Sequence, residues 1–504
     1  MKMVSSGTQL EQRLSIALAD ILKHLGTGRM DSNVYDTAWV ARLAKRYPDD
    51  GFQAALTWLA DNQHDDGTWG TPFAYFHDKY ISTLAAIIAL QDNDSEKYQS
   101  LIAAGERALW HMVDNLPTDD QDTVGFPILS ISMRREAQAL GLDVPQAARR
   151  FEEKYFQKIE ALVQQPKHEW KTSPLLTSLE ALREWVNDDI DLFDNRYLIA
   201  ASPAATAAYL LEYPHEKSLQ ALAQYQQPAP YGIYPPVIPI DTFEIAWSIA
   251  HLRNAGIITP NMPEIRTCLN LLCSAWSEKD GIGHSGDALI KDLDDTAAAF
   301  AALNWGGYAV TPDVFHYYEA EDHFQCYLNE TDPSASVQIR SLMAILQIDD
   351  AYPHKQRWIE KALYAIREFG STGAYFTDKW HTSPYYVNTI AIRTLASFDF
   401  ALAKQRLDWV LATQNADGGW GYYQNSTPEE TAYCLEILAW WHKNISLIDR
   451  HIIDTAAAYL LQHLDDTHYV PLWIAKCLYS PHFVVKSVVV SALYMYSALD
   501  IKNN

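Results

Sequence analysis

Apolar residues recur at three- and four-residue spacing over most of the chain, as in Leu84-Ala85-Ala86-Ile87-Ile88-Ala89-Leu90, Ala207 to Leu211 and Ala432 to Trp440. That spacing predicts helices. Short loops rich in Pro, Gly and Asp separate the apolar stretches, and no run alternates as a half-buried strand would, so the expected fold class is all-α. The segment Gln227-Pro228-Ala229-Pro230-Tyr231-Gly232-Ile233-Tyr234-Pro235-Pro236 cannot be helical throughout and marks a boundary between two units.

The chain also repeats itself. The stretch from Leu56 through Trp58, Gln63, Asp66, Gly67 and Trp69 to Gly70 aligns without a gap with Leu407, Trp409, Gln414, Asp417, Gly418, Trp420 and Gly421, an offset of 351 residues from Gln63 to Gln414. Similarity over that length indicates two related helical units. Each copy reads as a helix ending near Gln, with Asp-Gly supplying a positive-φ corner and Trp packing back over the helix end. A second recurring element is an acid followed by Thr-Ala at a helix start: Asp36-Thr37-Ala38, Asp295-Thr296-Ala297 and Glu430-Thr431-Ala432.

Composition narrows the function. At 504 residues the chain has room for two or three domains. With 39 Lys plus Arg against 63 Asp plus Glu, net charge −24, and no basic run interleaved with aromatics, nucleic acid is excluded as a partner. Five cysteines without a Cys-x-x-Cys pair point to buried thiols in a reducing cytoplasm rather than to a disulfide framework or zinc site. No signal-peptide core occurs between Met1 and Leu14, and no 18 apolar residues run uninterrupted, so neither export nor stable membrane insertion is expected.

Asp292-Leu293-Asp294-Asp295 places three carboxylates in four residues ahead of an Ala-rich apolar run. Carboxylates that close cannot all ionise cheaply, so one keeps a proton near neutral pH. A retained carboxylic acid beside an apolar pocket can protonate a base as weak as an alkene. The competing reading is a helix cap, since Asp and Thr suit that role. Because acid-Thr-Ala recurs at three helix starts, the cap falls to Asp295, leaving Asp292 and Asp294 unexplained by the scaffold.

Together with the Gln-x-x-Asp-Gly-x-Trp-Gly repeats, this acid motif resembles the class II terpene cyclases, and within them the bacterial class II diterpene cyclases of halimadienyl, kolavenyl or copalyl type. Further matches are Tyr35-Asp-Thr-Ala-Trp39, Ser82-Thr-Leu-Ala-Ala86, Ser202-Pro-x-x-Thr206-Ala207, Phe243-Glu-Ile-Ala-Trp247, Asp378-Lys-Trp380-His-x-Ser-x-Tyr385-Tyr386 and Pro471-Leu-Trp473-Ile-Ala-Lys476. The resemblance implies two α-helical barrels enclosing a cavity: a β domain of 1–28 plus 222–504 and an inserted γ domain of 29–221.

It also implies chemistry. Family members protonate the terminal alkene of geranylgeranyl diphosphate and close two rings. Hydride and methyl shifts can follow, and a proton is lost while the diphosphate stays attached, for a downstream enzyme to remove. By that resemblance Asp294 is the general acid, with Asp292 and Asp295 holding its proton in place. Trp380 faces the cation, with Tyr386 and Trp247 as further pocket aromatics, although a tyrosine there is equally readable as a core-packing ring. Lys79 and Lys476 occupy family-like positions for the diphosphate, with Mg²⁺ bridging phosphate oxygens and carboxylates.

The chain departs from the family's pattern in several places. His284 stands where relatives often carry Trp; its imidazole can bond the acid or accept the terminal proton, or be purely structural. Gln338 replaces the Asn that assists the acid and is expected to orient it. Pro236 replaces the Asn of the His/Asn terminal base in plant copalyl enzymes, which predicts a cation that migrates to a halimane or clerodane skeleton rather than the simple labdane. Gly125-Phe126-Pro127 lacks the Glu that follows Gly-Phe in plant relatives, leaving the Mg²⁺ ligands unassigned. Ionisation of the diphosphate is disfavoured, because Asp349-Asp350-Ala-Tyr-Pro353 is broken by Pro and Asn187-Asp188-Asp189-Ile190 lacks the remaining metal-binding residues. Two other classes stay open on composition: a helical-barrel glycosidase with paired carboxylates and a non-catalytic helical-toroid binding protein.

Overall fold

The computed structural model describes residues 2–500 except 147–148, 189–190, 329, 331–332, 371–372 and 424. Asp189 and Ile190 of the broken metal motif thus lie outside the described residues. Helices dominate, and the described strands are the short pair Trp473–Ile474 and Leu478–Tyr479, antiparallel with Trp473 opposite Tyr479.

Among the described residues, six helices contact one another in a closed ring: Asp241–Asn254, Leu293–Trp305, Ala335–Ile345, Pro384–Leu395, Pro428–Asn444 and His482–Asp500, the last meeting the first. Outside them lie Pro263–Ala275, Lys355–Gly370, Phe400–Ala412 and Arg450–His463, and the N-terminal helix Lys2–His24 packs against His482–Asp500 and Pro263–Ala275. This is an α/α barrel, and its sequence logic is visible in burial. Inner helices are buried around most of their circumference, as Leu293–Leu303 and Pro428–Ala439 are, whereas the outer Lys355–Gly370 buries one stripe, Trp358, Ile359, Ala362, Leu363, Ala365 and Ile366. A second ring closes through Val34–Ala41, Phe76–Asp94, Phe126–Ala139, the 3₁₀ segment Pro174–Ala181 and Pro203–Glu212. Its core holds Leu222, Ile233, Tyr234 and Ile238, while Ile240 belongs to the first core. The handover therefore sits at the far end of the Pro-rich segment, beyond the expected residue 222, and at the N-terminal side between Met30 and Val34.

His482–Leu499 is long and apolar enough to cross a membrane by composition, but it is mostly buried and packs against Asp241–Asn254, Pro428–Asn444, Arg450–His463 and the N-terminal helix as a core helix.

The internal repeat is a structural clasp. Gln63 Nε2 donates to the Gly67 and Leu101 carbonyls (2.9 and 3.0 Å), and Gln414 Nε2 to those of Gly418 and Ile452 (2.7 and 2.9 Å), tying the turn to the next outer helix. Trp69 and Trp420 return their indole N–H to Leu59 and Val410 carbonyls at the preceding helix end (2.9 and 2.8 Å). Gly67 and Gly418 sit at φ +83° and +89°, where a Cβ would press on Ala104 O and Thr455 O. Gln414→Ala should therefore cost about 1–3 kcal/mol, as orphaned carbonyl acceptors do; a denaturant midpoint unchanged from the parent would refute this role.

The same economy explains acid-Thr-Ala. Thr296 Oγ1 accepts the Ile282 N–H (3.0 Å) and Thr431 Oγ1 the Trp420 N–H (2.9 Å), while Thr37 Oγ1 takes the Ile233 and Tyr234 N–H groups (2.8 and 3.1 Å). Threonine is the clamp that fixes each preceding loop to an inner helix. The cap is a different residue in each case, three positions before the acid: Asn33, Asp292 and Thr427 accept the N–H of Asp36, Asp295 and Glu430. The expected assignment of the cap to Asp295 is thus corrected to Asp292.

Candidate active site

A cavity opens between the two barrels, with about 1080 Å³ of empty space including its open mouth. The second barrel contributes Val124, Pro174, Thr177, Ala200 and Ser202, and the first supplies an aromatic and aliphatic wall that includes Phe243, Trp247, Ile290, Trp380, Trp473 and Tyr479. Asp292, Asp294 and Asp295 line it at the N-terminus of Leu293–Trp305, because the cap and first turn of that inner helix face the neighbouring barrel.

The three acids differ. Where Asp36 gives one oxygen to the Ala204 N–H (3.0 Å) and Glu430 one to the Tyr422 N–H (2.8 Å), Asp295 has its Oδ1 buried without a partner and the Asp292 carboxyl as its charged neighbour. Asp292 accepts the Asp295 N–H at 2.8 Å, which favours the Asp292 anion, and the Asp295 carboxyl is held far above the usual range by burial and by the Asp292 charge, which favours its protonated form. Asp294 stands apart: Oδ1 makes no hydrogen bond and lies 3.5 Å from Arg340 Nε. Burial raises its pKa to about 7; the charges of Asp292 and Asp378 reinforce the shift, and Arg340 opposes it. Asp294 is a carboxylic acid with a free face, in an apolar cavity, protonated in about half the molecules at neutral pH.

Arg340 is held away from closer pairing. Its Nε and Nη2 donate to Tyr386 Oη (3.1 and 2.8 Å), and its guanidinium lies 4.1 Å from the centre of the Trp247 ring. Trp247 Nε1 also donates to Tyr386 Oη, at 3.3 Å. Behind them Glu429 Oε1 collects Trp473 Nε1 (2.7 Å), Tyr433 Oη (2.9 Å) and His381 Nε2 (3.2 Å), and His381 stacks on Tyr386 with ring centres 4.9 Å apart. This polar scaffold fixes the aromatic wall in one geometry.

The structure sorts the residues expected from sequence. Trp247 and Trp380 line the cavity. Trp380 has a buried, unpartnered Nε1, and Lys379 Nζ, itself paired with Glu330 at 2.6 Å, lies 5.0 Å from its ring centre. Tyr386 is displaced from the cavity surface to the layer behind it, where its hydroxyl anchors Arg340 and Trp247. Gln338 does not orient the acid: its carboxamide donates to Phe324 O (2.7 Å) and accepts the Phe324 N–H (3.0 Å), the loop clamp that Asn388 repeats on Phe376. The group beside Asp294 is Arg340, two residues on, which sequence reasoning missed. Lys79 is spent on the first clasp turn, reaching Asp66 (3.4 Å) and Thr68 (3.3 Å), and does not line the cavity. Lys476 does line it, from the first barrel, with its ammonium bonded across the domain junction to Glu180 Oε1 and Ser202 Oγ, both at 2.6 Å. His284 lines the cavity too and makes no hydrogen bond to the acids.

Among the described residues no three His, Cys, Asp or Glu gather as a metal site. The buried, unpartnered Glu180 Oε2 is a single carboxylate oxygen, and its partner oxygen is neutralised by Lys476, so the residues present do not form a cradle for Mg²⁺.

A carboxyl with a raised pKa in an aromatic-walled cavity between two α/α barrels has the chemistry that protonation of an unsaturated hydrocarbon chain requires. No family model matches the chain. It is 31% identical over 493 residues to the type B diterpene cyclase of Mycobacterium tuberculosis, covering 93% of this chain and 96% of that protein. It is 29% identical to a (+)-kolavenyl diphosphate synthase of Herpetosiphon aurantiacus, covering 96% and 98%. Among solved structures, ent-copalyl diphosphate synthase from Streptomyces platensis superposes with a TM-score of 0.80 at 27% identity, covering 96% of this chain and 99% of that one. The chain belongs to the class II diterpene cyclases. The glycosidase and the non-catalytic toroid that composition left open are thereby excluded.

Proposed function

We propose that this enzyme cyclises geranylgeranyl diphosphate to a bicyclic diterpenyl diphosphate of rearranged, halimadienyl or kolavenyl, skeleton. The observation that carries the reading is Asp294: a buried carboxyl with an unbonded oxygen, a pKa near neutrality and an apolar aromatic cavity in front of it. Its proton adds to the terminal alkene, the developing tertiary cation is attacked in turn by two further alkenes, and the charge moves along a wall that includes Trp380. An indole face attracts such a cation by about 0.5–2 kcal/mol without bonding to it. The acid helix directs its positive end toward its own carboxylates, so the Asp294 anion left after transfer is stabilised at the helix N-terminus as the Asp292 anion is.

The diphosphate binds at the cavity mouth in this reading, where Lys476 exchanges Glu180 for a phosphate oxygen. Support for rearrangement is Pro236, which lines the cavity and offers no side-chain base. The enzyme acts in the cytoplasm, and a separate enzyme of diphosphate-removing class consumes the product. Incubation with geranylgeranyl diphosphate, dephosphorylation and chromatography with mass spectrometry tests the reading. A rearranged bicyclic alcohol is expected. An unrearranged copalyl product overturns the skeleton, and recovery of linear substrate alone overturns the activity.

A further inference from the structure

His284 is fixed at its backbone while its Nε2 is left without a partner. Gly281, at φ +77°, packs directly against Thr296, whose hydroxyl clamps both backbone groups of Ile282 (3.0 and 3.1 Å), so the loop is pinned to the helix that carries Asp294. From the other side the Thr242 hydroxyl donates to Gly283 O (2.6 Å) and the Phe243 N–H to His284 O (3.3 Å). With the Asp292 N–H donating to Ile282 O (3.3 Å), five hydrogen bonds hold the segment 282–284 between two inner helices. The imidazole lines the cavity, and its Nε2 is buried with no hydrogen-bond partner. Buried polar groups normally find a partner, so an unpartnered imidazole nitrogen on a residue that lines the cavity is open to a proton from whatever occupies it.

We propose that His284 is the terminal base of the cyclisation, a catalytic residue that takes the proton released in the last step; the assignment rests on the cyclase reading above. A C–H bond adjacent to the final cation breaks and its electron pair becomes the new C=C bond. The proton bonds to the imidazole nitrogen, and the resulting imidazolium returns it to water as product leaves. No oxidant or second reactant enters. Burial, with Arg196 and Lys291 adding, lowers the pKa of His284 to about 4, so the ring is neutral at working pH and does not take the Asp294 proton beforehand. A carbocation is acidic enough to surrender a proton even to so weak a base, and weakness delays quenching. The acid and base therefore sit on one rigid unit, joined through Thr296 and the Ile282 backbone.

The test is product analysis with the full-length enzyme carrying His284→Phe, His284→Gln or His284→Ala, each checked for folding by thermal melting. Substrate consumption is expected to stay within about tenfold of the parent, because protonation is untouched, whereas the parental double-bond isomer should fall at least about tenfold in favour of other alkenes or water-quenched alcohols. Added imidazole should restore the parental isomer to His284→Ala and not to His284→Phe. The parental product in unchanged proportion from folded His284→Gln and His284→Phe overturns the assignment, as does unfolding of all three, which would make His284 structural. Absence of any cyclic product from the parent overturns instead the cyclase reading.

Discussion

Asp294→Asn is expected to abolish cyclisation, by about 10³-fold or more, with binding of geranylgeranyl diphosphate, read by calorimetry, changed no more than about threefold. The amide keeps shape and polarity but cannot give up a proton to carbon. The same substitution should raise stability at alkaline pH. A carboxyl raised from 3.8 to about 7 by burial favours the folded state fully only below its unfolded pKa. That contribution is lost as pH rises through the folded value. At pH 8 the parent therefore bears a buried anion, facing Arg340 at 3.5 Å, that the variant lacks, and Asn should gain about 1–3 kcal/mol there and little at pH 4. Activity of the parent should fall about tenfold per pH unit above an apparent pKa near 7. A folded variant with parental turnover would remove Asp294 from the chemistry, and equal stability gains at both pH values would contradict its buried, raised state.

Much of this site can be read along the sequence, and what cannot has a geometric cause. The barrel helices follow from apolar spacing because inner helices bury nearly every side, and the clasp turns follow from Gln, Asp-Gly and Trp because each residue has a local backbone partner. The acid triplet is conspicuous because carboxylates crowd within one turn. The sequence misassigns the cap because the acid that recurs before Thr-Ala is three positions past it; comparing the preceding cap residues, Asn33, Asp292 and Thr427, would have singled out the one that is itself an acid. Arg340 and Glu429 are invisible for another reason. They meet the site only through contacts between neighbouring helices of a closed ring, and apolar periodicity reports burial without reporting which polar residues face each other. Gln338 was misread because its clamp partner, Phe324, lies across a loop, where a carboxamide serves the backbone as well as it would serve an acid.

That comparison of caps makes Asp292→Asn the sharpest separation of scaffold from chemistry. Asn33 shows that asparagine caps an inner helix here, accepting the Asp36 N–H at 2.8 Å just as Asp292 accepts that of Asp295. The fold should thus lose no more than about 0.5 kcal/mol. Chemistry should suffer much more. The Asp292 charge raises the pKa of both Asp294 and Asp295, so its removal lowers both. Less of Asp294 is then protonated at pH 7, and turnover there should drop by about 10²-fold, with the alkaline limb of the rate profile displaced to lower pH. Partial recovery at pH 5 should follow, since acidification refills the same carboxyl. A variant that melts like the parent, loses activity at pH 7 and regains part of it at pH 5 locates the function of Asp292 in holding a proton at Asp294. Loss that no acidification repairs would instead make the Asp292 carboxylate an orienting group whose geometry, rather than charge, the acid requires.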